Sequence, residues 1–356
     1  DWTEHALTCL FAAYLPDLNW RHKAASERFI ADALWWLETF DLDGARVDAV
    51  KHIEASAVFN LVARVRETFE GAGTRVFLTG ETAMGWGGDD IGASATEYAT
   101  INKYMGALGL DGQFDFVLFH AVVDSVFAKM TKGFIHLDTW TGLSQSNYVA
   151  GSLMTPYIGG HDTSRLISLA DYRGQPGHPA EVAGNHWVEQ TLPEAPGEDE
   201  PYERVRIALC WLLTTPGAPM IYMGDEYGEF GGGDPDNRHV FRSEATLSGR
   251  EQALLAWARA LGSARGDHVA LRRGSYQTLQ ASEDVLPFVR ATPEGEVVVV
   301  AINRATEVRV QAVEIAKLGF AIGGHPSALP FGGQLDVKAA GATVTVPGRS
   351  CAIFVP

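Results

Sequence analysis

Between residues 24 and 265, short apolar runs alternate with longer segments whose apolar residues recur every three to four positions. Beyond residue 267 the recurrence changes to every second position. Short apolar runs bounded by turn residues read as buried parallel strands, and helical stretches between them serve as crossover connections. The first region is therefore expected to be α/β with a parallel sheet, and the second a small all-β sandwich. The expected domains are residues 1–266 and 267–356.

In the first region "SERFIADALWWLETF" predicts a helix with Ile30, Leu34 and Leu37 on one face, and "GARVDAV" the strand that follows it. "SAVFNLVARVRETFEG" is the next helix, stopped by Gly71, and "RVFLTG" the next strand. "QFDFVLFHAV", "LMTPYIGG" and "APMIYMG" are further strand candidates. "PYERVRIALCWLLTTPG", with Pro at its start and Gly after it, and "REQALLAWARALGSAR" are helices. "VLPFVRAT", "EVVVVAIN", "TEVRVQAV", "ATVTVPG" and "CAIFVP" supply strands of the second region. The first region holds about five strand-helix units, whereas a closed (β/α) barrel needs eight. Five parallel strands would also make an open sheet; the charged residues below favour an incomplete (β/α)8 TIM barrel. The irregular stretch "DYRGQPGHPAEVAGNHWVEQTLPEAPGEDE" is acidic and rich in Pro and Gly, and a loop of that length is expected to be functional or mobile.

A net charge of −16 repels nucleic acid and anionic membranes, so a neutral substrate fits better. No stretch approaches the length of a membrane span. Cys9, Cys210 and Cys351 lie too far apart for a metal-ligand spacing or a disulfide framework, and they leave the redox compartment undecided. The chain opens at Asp1, and "DWTEHALTCLFAAYLPDLNW" has neither a basic n-region nor an unbroken apolar run, so no signal peptide is visible. Such an opening reads as the middle of a longer protein.

Charge inside a strand points to chemistry. In "GARVDA" side chains alternate, so Arg46 and Asp48 face one way and Ala45, Val47 and Ala49 the other. The charged pair is then expected to face a barrel interior, where the guanidinium keeps the carboxylate ionised. A buried Arg–Asp pair without chemistry explains this strand equally well. The next strand ends in "FLTGETAMGW" and delivers Glu81 at its C-terminal end, the edge where barrel enzymes collect their active sites. "YIGGHDTSR" offers His161 and Asp162 at the same edge. Three carboxylates converging after three strands repel one another, which packing alone does not explain.

"DGARVDAVKH", "GET" and "GGHD", in that order, resemble the second, third and fourth signature regions of the α-amylase family of retaining glycoside hydrolases. "YLPDLNW" resembles a further short family region, and "YMGDEYGEFGGGDPDNR" the segment after the last barrel strand. The resemblance runs through residues 14–265, and the trailing β region matches the family's C-terminal domain. It implies a double displacement on α-1,4-glucosidic bonds of starch, glycogen or maltodextrins: Asp48 is the nucleophile, Glu81 the general acid/base and Asp162 the third carboxylate. Arg46 would orient Asp48, His161 would hydrogen-bond the sugar at the cleavage site, and Lys51 and His52 would contact sugar beyond the cleaved bond. Trp86 could stack on a sugar ring or cap its loop; Trp187 is a weaker candidate of the same kind. Asp225, Glu226 and Asp234 to Arg238 would line the cleft or brace the loop, bracing being favoured. Asp17 and the His52 carbonyl match positions that bind a structural Ca2+ in many members, and oxygen ligands suit that cation.

Two departures stand out. Gly160 replaces the Asn that usually precedes the "HD" pair, and the family's first signature has no counterpart, since "GNHW" at 184–187 lies elsewhere. The resemblance therefore implies a companion N-terminal segment that completes the barrel. An α-glucanotransferase with the same three carboxylates, and a non-catalytic glucan-binding relative, are the alternatives.

Overall fold

The computed structural model describes residues 4–10, 12–172, 192–314, 327–328, 331–338 and 341–355. Most of the long acidic loop, Trp187 included, lies outside the described residues. The chain forms two compact units, one of Asp1–Val117 with Ser144–Thr155 and the other of Leu118–Leu143 with Pro156–Pro356.

The first unit runs α1 (Lys23–Thr39), β1 (Gly44–Val47), α2 (Ala55–Phe69), β2 (Phe77–Gly80), α3 (Ala95–Asn102) and β3 (Gly112–Gln113). Helix α1 buries Ile30 and Leu37 with Leu34 packed beside them, the face expected from their spacing. In α2 the stripe Val58, Val62 and Val65 is buried, and with Leu37, Val50, Val76, Leu78, Tyr104 and Leu110 it makes the core of this unit. Helix α2 does not stop at Gly71. A 3-10 turn over Glu70–Ala72 follows it, and the reversal falls on Gly73, whose φ of 86° is the left-handed conformation that suits glycine. The strands form a parallel sheet in the order β1-β2-β3, in register from Gly44 opposite Phe77 to Val47 opposite Gly80. A parallel bridge from Phe114 to Thr155 prolongs the ladder. Gly112 is required where it stands, because a Cβ there would lie 1.8 Å from the Leu153 carbonyl oxygen.

Three strand expectations are corrected. Of "QFDFVLFHAV" only Gln113 belongs to a strand; from Phe116 the chain is helix α4 (Phe116–Val122). Short apolar runs do not distinguish a buried strand from a buried helix. "LMTPYIGG" and "APMIYMG" give isolated bridged residues, Tyr157 with Met220 among them, and not full strands. Pro156 and Pro219 lack the N–H that a ladder needs.

Helix α5 (Phe134–Asn147) follows α4, and the second unit continues with α6 (Leu166–Tyr172), α7 (Asp199–Thr214), α8 (Gly249–Asp267) and α9 (Val269–Arg273). Helix α8 starts in a capping box between Ser248 and Glu251. The last carbonyls of α7 are taken by buried guanidinium groups: Arg290 Nη1 donates to Thr214 at 2.5 Å, and Arg265 Nη1 to Leu213 at 3.0 Å. Cations there complement the negative end of the helix dipole. Burial pushes Arg265 and Arg290 down, to about 10 and about 9.

Strands β4 (Ser275–Thr278), β5 (Val285–Ala291), β6 (Val297–Asn303), β7 (Arg309–Val313), β8 (Ser327–Ala328), β9 (Gln334–Lys338), β10 (Gly341–Val346) and β11 (Ser350–Val355) complete the chain. They form two sheets, β4-β5-β6-β11-β8 and β7-β10-β9, antiparallel throughout. Val289, Val299, Ala352 and Phe354 of one sheet pack on Val313, Leu335 and Val344 of the other. All seven residues of β6 are buried, because α7 and α9 cover the face turned away from this core. Residues on both sides of position 266 thus share one compact unit.

Candidate active site

Strand β1 ends at Val47, so Asp48 sits one residue beyond it, in a turn where Ala49 is left-handed at φ 47°. The turn is tied to the end of β2 by the Glu81 N–H donating to the Val47 carbonyl (2.9 Å) and the Val50 N–H to the Glu81 carbonyl (2.8 Å). Two carboxylates are thereby fixed at the C-terminal ends of neighbouring parallel strands.

Arg46 joins them. Its Nη1 donates to Asp48 Oδ1 at 2.5 Å, its Nη2 lies 3.0 Å from Glu81 Oε2, and its guanidinium rests 5.3 Å from the centroid of the Phe114 ring. The Ala49 N–H donates to Glu81 Oε2 at 3.1 Å. The expectation of a buried aspartate is corrected: the Asp48 side chain is 72% exposed and that of Glu81 only 13%. Both carboxylates lie one residue past their strands, but among the described residues β1 is the edge of the β1-β2-β3 sheet and β2 its centre, flanked on both sides. Burial pushes the Glu81 carboxyl above the usual range; the Ala49 N–H and Arg46 oppose the shift, and the neighbouring Asp48 carboxyl adds to it.

Lys51 Nζ donates to the Ala83 carbonyl at 2.7 Å, across to the loop that follows Glu81. Burial lowers its pKa and Glu81 opposes that. It lines a cavity of about 680 Å³ with Met84, Thr96, Thr100, Lys103 and Tyr104. His52 is 6% exposed, and its Nδ1 meets the Ala6 carbonyl at 2.9 Å. Burial lowers its pKa. The ring is thus turned to residues before α1 and away from solvent, unlike a ring that contacts sugar. Trp86 is half-buried in the loop after Glu81. Asp17 is half-buried, and its charge acts on the His52 ring. Among the described residues no group of three or more His, Cys, Asp and Glu side chains converges as a metal site.

In the second unit His161 Nε2 lies 3.2 Å from Asp162 Oδ2, with both side chains about half exposed. Arg238 Nη2 donates to Asp162 Oδ1 at 3.3 Å, and its Nε to the His161 carbonyl at 3.1 Å. Arg165 is buried: Nη1 donates to Asp225 Oδ1 at 2.9 Å, and the guanidinium stacks 3.9 Å from the Tyr222 ring centroid. Burial raises the Asp225 carboxyl to about 6 against the pull of Arg165. Glu226 accepts from the Gly224 N–H at 2.8 Å. Asp225 and Glu226 therefore brace their turn. The structure brings Arg46, Asp48 and Glu81 together in one unit and His161, Asp162 and Arg238 together in the other. Sequence reasoning left out Arg165, whose signal was a charged residue three positions after Asp162 in "HDTSR".

Residues 2–253 match the family described as alpha amylase, catalytic domain. Among curated relatives, the chain is 26% identical to a cyclomaltodextrinase of Geobacillus thermopakistaniensis over 84% of its own length and 43% of the relative's. It is 27% identical to a cyclomaltodextrin glucanotransferase of Niallia circulans, over 91% of its own length and 37% of that protein's. The chain thus spans less than half of these relatives. A solved α-amylase of Geobacillus thermoleovorans, complexed with acarbose, superposes with a TM-score of 0.78 at 22% identity, covering all of this chain and 69% of that one. An Anoxybacillus α-amylase gives 0.73 at 23% identity, covering 96% and 64%. At such identities these structures speak for the fold alone. With its family match over residues 2–253, the chain belongs to the alpha-amylase catalytic-domain family.

Proposed function

We propose that this chain carries the catalytic carboxylates of a retaining glycoside hydrolase that cleaves α-1,4-glucosidic bonds in starch, glycogen or maltodextrins. The arrangement of Asp48 and Glu81 about Arg46 carries the reading. One guanidinium reaches both carboxyls, Nη1 to Asp48 at 2.5 Å and Nη2 to Glu81 at 3.0 Å, which keeps them close together, as a retaining pair requires, and not spread to the wider spacing of an inverting pair. The raised pKa of Glu81 suits a proton donor, while Arg46 donates to Asp48 and orients it.

In this mechanism Asp48 attacks the anomeric carbon and forms a glycosyl ester, while Glu81 gives its proton to the leaving glycosidic oxygen. Glu81, now ionised, takes a proton from water, whose oxygen attacks the same carbon and releases Asp48. When a second sugar hydroxyl replaces that water the outcome is transfer, the activity named for the Niallia relative. Asp162 serves as third carboxylate and His161 as a sugar hydrogen-bond donor. Lys51 and Trp86 line the path beyond the cleaved bond.

The barrel is completed by a companion N-terminal segment. Strand β1 pairs only with β2 among the described residues, leaving its other edge open. Beside that edge lies an apolar groove lined by Phe29, Ile30, Ala33, Ala45, Val47 and Leu61, and Trp35, Trp36 and Phe40 of the same region are each more than half exposed. For calcium, Asp17 and the His52 carbonyl supply two oxygens where the cation takes six to eight. The described residues do not hold it by themselves, and no step depends on it.

Proton NMR of a maltodextrin digest by the full-length enzyme tests the reading. The α anomer should appear first; β product first would overturn retention, and unchanged turnover by Glu81→Gln would overturn the assignment.

A further inference from the structure

Three carbonyls of the segment that carries His161 and Asp162 converge on one side chain. Asn237 is fully buried, and its Nδ2 donates to the carbonyls of Gly160 (3.2 Å), His161 (2.8 Å) and Thr163 (2.7 Å). An amide NH2 has two hydrogens, so three acceptors share them. The His161 carbonyl also accepts from Arg238 Nε at 3.1 Å and the Gly160 carbonyl from the Thr163 N–H at 3.3 Å, but among the described residues only Asn237 reaches all three. The backbone of Asn237 is fixed in turn: its carbonyl accepts from Arg165 Nε at 3.0 Å, and Arg165 is anchored by the Met223 carbonyl, Asp225 and Tyr222. The next residue, Arg238, reaches the Asp162 carboxylate itself. Adjacent residues of one turn thus hold the backbone and the carboxylate of the same segment.

We propose that Asn237 is the positioning residue for Asp162, with Arg165 holding Asn237 in register. The assignment rests on the reading of Asp162 as third carboxylate. The chemistry demanded is donation: among the described residues Asn237 Oδ1 has no hydrogen-bond partner, whereas Nδ2 has three. An aspartate of the same shape would aim a carboxylate at three carbonyl oxygens. Asn237→Asp is therefore expected to be at least as harmful as Asn237→Ala, contrary to what loss of packing alone would give.

A double-mutant cycle in the full-length enzyme tests this. Asn237→Asp should lower kcat about 100-fold, the scale for a displaced catalytic group, with a smaller change in KM. In an Asp162→Asn background the same substitution should lower kcat less than about threefold, because the group it positions is already lost. Arg165→Lys, which keeps the charge opposite Asp225 but loses the Nε donor, should show the same pattern more weakly and serves if Asn237→Asp does not fold. Equal losses in both backgrounds would make Asn237 a plain structural brace and overturn the proposal. Unchanged turnover by Asp162→Asn would instead remove the third-carboxylate reading, and the proposal with it.

Discussion

The N–H of Ala49 donates to Glu81 Oε2 at 3.1 Å, so the residue after the proposed nucleophile steadies the proposed acid. The same carboxylate oxygen is 3.0 Å from Arg46, which also binds Asp48. Any change at one carboxylate is thus felt by the other.

Glu81→Gln is expected to cut turnover by about 10²–10⁴-fold, the usual share of a general acid. Its effect on stability has a definite sign. A carboxyl whose folded pKa is raised binds protons more tightly when folded, so it costs stability as pH climbs from the ordinary glutamate range through the folded value. The variant should therefore gain melting temperature relative to wild type at pH 7 but not at pH 3. Equal differences at both pH values would contradict the burial argument.

Arg46→Lys keeps the charge but cannot span two carboxylates with separate nitrogens. Turnover should fall about tenfold or more, the scale of one or two charge-assisted hydrogen bonds. The upper limb of the pH–rate profile should shift to higher pH, because the guanidinium opposes the raised pKa of Glu81. Steady-state kinetics across pH 4–9 would show it.

Asp225 should titrate near pH 6, visible by carboxyl ¹³C NMR as a resonance absent from Asp225→Asn. Its folded pKa also lies above the unfolded one. Global stability is therefore expected to drop as pH rises from about 4 to about 6 and to level off above that, as far as this group contributes.

Gly160→Asn tests whether the departure from the family pattern is one of packing. A Cβ there finds Met220 Cε at 3.9 Å as its nearest neighbour, and the residue does not have a positive φ. Gly160 is buried but a Cβ has room there, so stability should change by no more than about 1 kcal/mol, the ordinary scale of a substitution that makes no clash. A shift in KM for maltodextrins of different length would then mark residue 160 as a specificity position.

Trp36→Lys should make the isolated chain less prone to aggregate in light scattering and, if the proposed companion segment covers this exposed apolar face, weaken its recovery with that segment. Improved solubility without loss of association would move the docking site elsewhere.

Helices with a clear apolar stripe, α1 and α2, were legible from spacing, as was the β region from its period of two. Strands interrupted by Pro156 and Pro219 were not, because an apolar run records burial and not whether the backbone can donate to a neighbour. The same holds at the site. Arg46, Asp48 and Glu81 were visible as charges where strands should be apolar. That Glu81 would be the buried carboxyl and Asp48 the exposed one follows the sheet order, β2 lying between β1 and β3 and β1 at the edge, which the local sequence does not carry. Asn237 was visible only as part of a polar run, because a long-range amide contact leaves no periodic trace.

The guanidinium groups at the end of α7 have a consequence for how the chain can be divided. Arg290 comes from β5 and donates to Thr214, the final residue of that helix. A protein cut at residue 266 would keep every proposed catalytic group yet strip Thr214 of this donor and bare the apolar surface of α7 that faces β6 and β11. The β-sandwich is thus no detachable tail: it is the cap on a helix of the α/β region, and shortening the chain from its C-terminal end would begin to unfold that region from within.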